Sequence, residues 1–231
     1  MLDRFPTTGL TLVARLGSSE RDVRGAAFER IASLYWKPIY KYLRLAHHKS
    51  NEEAQDLTQS FLTSALQKEF LGDYDASRGR FRTFLRTCID RFAINEFKAA
   101  TREKRGGGAK HLDFDAVEHE LPLSTNETPE VVFERESIRA LFENAIAELR
   151  ARWNGKDALT IFERYDLADG DRPSYQDLAG ELRIPITTVT NRLAAIRRDF
   201  RAIALELLRD TTATDAELRD EARRLFGSKA L

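Results

Sequence analysis

The sequence predicts an all-α protein of two helical domains joined by an acidic linker. Three observations carry this expectation. Nearly every segment of the 231-residue chain spaces its apolar residues three and four apart, and no stretch alternates as a half-buried strand does. Ser50 with Glu53 and Thr214 with Glu217 have the serine or threonine to glutamate spacing of a capping box, the mark of a helix start. Between the two helical blocks, Gly106 to Gly108 is followed by a run, His111 to Glu136, holding eight acids and one base, Arg135. That division gives an N-terminal extension 1–25, a first domain 26–109, the linker 110–131, a second domain 132–209 and a C-terminal extension 210–231.

The elements follow in order. From Ala26 to Leu45, Phe28, Ile31, Ala32, Tyr35 and Ile39 form one stripe, and Pro38 is expected to kink or divide the helix because it lacks an N–H. The next helix opens at Ser50, with Ala54, Leu57, Phe61 and Ala65 on one face. A turn-rich loop, Leu71 to Arg80, leads to a long helix from about Phe81 to Arg105, whose inward residues are Phe81, Phe84, Leu85, Cys88, Ile89 and Phe92. The three glycines end it. In the second domain Ile138, Leu141, Phe142, Ala145, Ile146 and Leu149 share a face, "NGKD" breaks that helix at Asn154 to Asp157, and a further helix runs through Leu159 to Leu167.

Bulk composition excludes several classes of function. Lys+Arg and Asp+Glu both number 37, so only the distribution of charge can indicate a partner. A single cysteine, Cys88, excludes an internal disulfide and fits a reducing compartment. No run of about twenty apolar residues could span a membrane, and the N-terminus lacks the basic lead and apolar core of a signal peptide. A cytoplasmic protein without a membrane partner is expected. Four histidines and one cysteine give no metal-ligand spacing, and "RGGGAK" follows a helix instead of linking a strand to one. No cofactor, no metal and no catalytic residue are expected, and the chain does not read as an enzyme.

The stretch "SYQDLAGELRIPITTVTNRLAAIRRDFR" (Ser174 to Arg201) is the most legible. Ser174 caps a short helix, Asp177 favours its dipole, and "RIP" makes a tight turn into a second helix. Leu178, Ala179 and Leu182 belong inside, as do Val189, Leu193, Ile196, Phe200 and Ile203 of the second helix. Its other surface shows Thr187, Thr188, Asn191, Arg192, Arg197, Arg198 and Arg201. Threonine, asparagine and arginine near a helix start can reach base edges, and the later arginines suit phosphates. The arrangement is that of a DNA-binding helix-turn-helix.

A second basic surface lies on the long helix of the first domain. Arg91, Asn95, Lys98, Arg102 and Arg105 recur at steps of four and three, a stripe able to follow a phosphate backbone. Just before it stand Tyr74, Arg78, Arg80, Phe81 and Arg82. Rings and guanidinium groups together suit unpaired bases, and the loop, rather than the core residues Phe81 and Phe84, is the candidate.

Taken in order, "EEAQDLTQSFL" (Glu52 to Leu62), "GRFRTFLRTCIDRFAINEFKAATREKRGGG" (Gly79 to Gly108) and the helix-turn-helix resemble a bacterial sigma factor of the extracytoplasmic-function (ECF) class. The first resembles that family's polymerase-clamp-binding helix, the second its promoter-melting and −10-reading helix, and the third its −35-reading domain. By that resemblance the partner is core RNA polymerase, through its clamp and flap, and Glu52, Glu53, Asp56 and Gln59 meet the clamp. Tyr74, Arg78, Arg80 and the stripe Arg91, Asn95, Lys98, Arg102 and Arg105 serve the −10 region. Thr187, Thr188, Asn191, Arg192, Arg197 and Arg198 serve the −35 element. The acidic linker would occupy a nucleic-acid channel of the polymerase.

Departures from the family pattern are also legible. Ser60 stands where many relatives carry glutamate, and Pro185 replaces a small hydroxylated residue at the recognition-helix cap. Ser60 and Thr63 share the exposed face of Asp56, where phosphorylation by a Ser/Thr kinase would add about −1.5 to −2 charges each. An anti-sigma factor is the other partner that the resemblance leaves open. Two alternatives stand beside it: a stand-alone helix-turn-helix regulator that binds duplex DNA as a dimer, and an adaptor that docks only on proteins.

Overall fold

The computed structural model describes residues 12–106 and 127–227, apart from residues 169 and 213, and omits the side chains of residues 76 and 100–106. Among the described residues there are nine α-helices and no strand. They are α1 (Leu12–Arg15), α2 (Arg21–Ala46), α3 (Asn51–Lys68), α4 (Phe81–Gly106), α5 (Pro129–Arg152), α6 (Asp157–Asp166), α7 (Tyr175–Leu182), α8 (Ile186–Asp210) and α9 (Asp215–Phe226). Two 3-10 turns, Phe70–Asp73 and Ala76–Arg78, lie between α3 and α4. The chain divides into two compact units, 1–140 with 209–231, and 141–208. Most of the linker expected at 110–131 lies outside the described residues.

The first unit is built on α2, α3 and α4. Ile31, Ile39 and Leu43 of α2, Phe61 of α3, and Phe81, Leu85 and Ile89 of α4 are all fully buried. Each such side chain contributes roughly 1.5–3 kcal/mol on leaving water. Phe84, Cys88 and Phe92 pack half-buried against this core. Burial pushes the Cys88 thiol up to about 11, so it is a packing residue with little thiolate. Ser50 accepts from the Glu53 N–H while the Glu53 carboxylate accepts from the Ser50 N–H, a complete capping box. Thr58 turns its hydroxyl back to the Ala54 carbonyl at 2.6 Å and so sits buried without an unsatisfied donor.

Three features depart from the expected elements. Pro38 does not divide its helix: α2 is continuous for 26 residues with Pro38 buried inside it. The acidic run does not stay irregular to Glu136, because α5 begins at Pro129 and its opening turns belong to the first unit. The boundary between units falls after Ala140, beyond Val132, since Phe133 packs between Tyr35 (6.3 Å between ring centres) and Tyr42 (5.6 Å) of α2. Residues 209–231 also return to the first unit, where Thr211 and Thr212 are buried and Tyr35 hydrogen-bonds with Thr211. Thr214 caps α9 by accepting from the Glu217 N–H at 3.1 Å.

The second unit packs α6, α7 and α8 on the later part of α5. Leu141, Ala145 and Leu149, Ile161 and Phe162, Leu178, and Val189, Leu193, Ile196 and Ile203 are buried. The Phe200 ring is half-buried between those of Phe142 (5.9 Å) and Phe162 (5.7 Å). Trp153, just past the end of α5, donates its indole N–H to Asp199 of α8 at 3.0 Å. No helix among the described residues is long and apolar enough to cross a membrane.

Candidate nucleic-acid and polymerase interfaces

Helix α3 presents its acidic surface to solvent. Glu52, Glu53, Asp56 and Gln59 are exposed, as are Ser60 and Thr63. Positions 52, 56, 59, 60 and 63 fall on one face by the helical period. Glu53 also has a local duty, since its carboxylate closes the capping box and lies 3.8 Å from Lys49. Glu52 and Asp56 are therefore the acids whose exposure no cap explains.

The loop before α4 is shaped by two glycines and one tyrosine. A Cβ on Gly72 would lie 3.1 Å from the Leu16 carbonyl oxygen, so the close approach of the turn after α1 requires glycine. Gly79 adopts φ +135°, a backbone that L side chains rarely take. Tyr74 spans the loop, donating its hydroxyl to the Gly79 carbonyl at 2.7 Å while its ring meets Phe81 edge-on at 5.3 Å. Burial pushes that hydroxyl up to about 12, with Glu217 and Asp75 adding to the shift. Tyr74 thus fixes the loop, and its ring is packed against the core, so a base could stack only on what remains exposed.

The two loop arginines and Arg82, in the first turn of α4, differ sharply. Arg78 is 86% exposed and lies 3.3 Å from Asp75. Arg80 lies 2.8 Å from Glu221 of α9. Arg82 is buried, 2.6 Å from Glu221 and 3.3 Å from Glu134 of α5. Burial opposes its charge, but Tyr35, Glu134 and Glu221 more than offset that and hold its pKa above the ordinary value. Arg82, read from the sequence among the groups suited to unpaired bases, is instead the centre of a buried ion network. The signal was present: Arg82 sits three residues before Leu85 and seven before Ile89, on the buried stripe of α4.

Along α4, Arg91, Asn95 and Lys98 are exposed on one face, as their spacing implies. Arg102 and Arg105 lie on the same helix, but their side chains fall outside the described residues. Three acids of the run from His111 to Glu136 form ion pairs, Glu134 with Arg82 and Glu136 with Lys41 at 2.8 Å across the chain, and Glu127 with Arg135 nearby, while Glu130 hydrogen-bonds with Thr128. Counting charge along the chain missed this, because it assigns every acid to solvent.

In the second unit α7 and α8 form a helix, tight turn and helix. Ser174 and Asp177 cap α7 reciprocally, the serine amide donating to Asp177 at 2.9 Å and the Asp177 amide to the serine hydroxyl at 3.1 Å. Those bonds hold the Asp177 carboxyl below the usual aspartate range. Arg183 takes the left-handed conformation at φ 53° and ends α7, and the Pro185 carbonyl accepts from Thr188 and Val189 at the start of α8.

Thr187 and Asn191 are exposed, Thr188 is half-buried, and Arg198 and Arg201 are exposed. Arg192 lies 2.6 Å from Asp157, and Arg197 binds Asp166 through two bonds of 2.7 and 2.8 Å beside the Tyr165 ring. Arg197 is held in its charged form by Asp166 first, and its pKa lies above the ordinary range. The polar surface of α8 therefore has two arginines oriented by carboxylates, with Thr187 and Asn191 exposed between them and the turn.

Residues 28–103 match the family model for Sigma-70 region 2. No curated protein matches the chain. The matched span takes in most of α2, all of α3, the loop and most of α4, the same elements that carry the acidic face and the basic stripe. Over residues 28–103 the first compact unit is therefore similar to Sigma-70 region 2.

Proposed function

We propose that the protein is an alternative sigma factor of the ECF class, which binds core RNA polymerase, reads −35 and −10 promoter elements and promotes melting. The observation that carries this reading is the match to Sigma-70 region 2 over helices that expose an acidic face on α3 and a basic stripe on α4. Glu52, Asp56 and Gln59 meet a basic clamp surface. Arg91, Asn95 and Lys98 follow the phosphates near the −10 element, and Arg78 and Arg80 take the unstacked strand. Captured unpaired bases would then drive strand separation, because extrusion is cheapest where the duplex is already weakened. In the second unit Thr187, Thr188, Asn191 and Arg192 read the −35 element, with Arg197 and Arg198 on phosphates. The polymerase supplies the chemistry.

The test is run-off transcription from fragmented genomic DNA by core polymerase, with and without the purified protein. New start sites sharing two upstream elements are expected. Asn191→Ala and Arg192→Ala should each weaken their use, at a cost of about 1–3 kcal/mol per lost base contact. Absence of new transcripts, together with duplex binding by the protein alone, would replace this reading with the stand-alone regulator.

A further inference from the structure

Helix α9 brings a carboxylate into the first unit that no surface role explains. Leu218, Glu221 and Ala222, at i, i+3 and i+4, are all buried, so this face of the helix is turned inward. One oxygen of Glu221 lies 2.8 Å from Arg80 and the other 2.6 Å from Arg82, with the carboxylate 4% exposed. A single anion thus takes the guanidinium groups of Arg80 and Arg82, with Arg224 of its own helix 3.8 Å away, as a phosphate does between arginines. One turn earlier, Glu217 lies close enough to Tyr74 to raise its hydroxyl pKa. A buried carboxylate is a poor way to gain stability, since apolar residues of similar size would serve as well or better. Its presence fits a contact that must also come apart.

We propose that α9 is a built-in cover over the loop Tyr74 to Arg82, with Glu221 standing on Arg80 where a phosphate of single-stranded DNA would sit. The inference rests on the reading that this loop faces an unpaired strand. Docked α9 and a bound strand compete for the same guanidinium, so the loop is closed in the free protein and opens only when α9 leaves.

The experiment measures binding of a short fluorescein-labelled single strand of mixed sequence to the full chain at low salt. Glu221→Gln should tighten binding at least about fivefold, the lower end of coupling between linked sites. Leu218→Asp, which unseats the same helix without touching Glu221, should do the same. In either background Arg80→Ala should remove the gain. Binding equal to or weaker than that of the unaltered chain in both variants, or a gain that survives Arg80→Ala, overturns the proposal.

Should neither variant fold, hydrogen exchange on the unaltered chain decides: added strand must deprotect residues 215–226, and unchanged protection with the strand bound overturns the cover. Run-off transcription separates the two readings. Loss of transcription with the gain in strand binding intact removes the sigma-factor assignment and leaves the cover standing. Unchanged strand binding beside active transcription does the reverse.

Discussion

In the first unit Arg82 meets Glu221 with 7% and 4% of the side chains exposed, whereas in the second Arg192 meets Asp157 with 35% and 54% exposed. Both contacts measure 2.6 Å. What separates them is water. The buried pair has lost its hydration and depends wholly on its partners, so removing one partner strands the other. The exposed pair keeps its hydration and is worth roughly 0–1 kcal/mol, which lets the arginine exchange its carboxylate for a phosphate at little cost. One chemical motif therefore joins α9 to α4 in the first unit, at a high cost if only one partner is lost, and only aims side chains in the second.

The comparison can be broken first through the helix that carries Glu134. Phe133→Ala should cost about 3–5 kcal/mol, seen as a lower denaturant midpoint, because it empties the space between Tyr35 and Tyr42. A loss well under that range would mean that the opening of α5 is not part of the first unit's core. Next, Arg82→Ala should destabilise by about 3 kcal/mol, the low end for a broken buried pair because Arg80 still holds Glu221. In the second unit Asp166→Ala should change stability by less than about 1 kcal/mol. It should strengthen duplex binding by releasing Arg197, with the salt slope steeper by about one phosphate contact. Equal destabilisation by Arg82→Ala and Asp166→Ala would erase the distinction.

The smallest effect is one of pH. The Asp177 carboxyl is held below its ordinary range, so its contribution to capping α7 is fully present above the unfolded aspartate pKa. That contribution is lost as pH falls through the folded value. Acid titration followed by the Ser174 amide resonance should show the cap opening below the usual aspartate range. An amide shift centred at or above that range would contradict the hydrogen bonds described.

Local signals in the sequence were read correctly where the physics is local. Ser50 and Ser174 mark their helices because a cap involves residues three apart, and Phe81, Leu85 and Ile89 mark a buried stripe because the helical period is fixed. The acidic face of α3 and the exposed Arg91, Asn95 and Lys98 were legible for the same reason. What stayed hidden depends on pairing across the chain. Glu134 and Glu136 read as solvated acids until Arg82 and Lys41 are placed beside them. Period alone shows that Leu218 and Ala222 form an apolar face, but not that Glu221 between them meets Arg80 and Arg82. Of the two outcomes expected at Pro38, division of the helix does not occur, since α2 runs through it unbroken with the proline buried.

The first unit is assembled from segments far apart in the chain, and this has a bearing on its birth at the ribosome. Arg80 and Glu221 are 141 positions apart. At about 10 residues per second, synthesis separates their appearance by roughly 14 s. Throughout that interval the nascent first unit carries Arg80 and Arg82 without the Glu221 carboxylate that later seats them. Polyanions of the translating cell would be its first available company. A chain that stopped before α9 would keep that company for good.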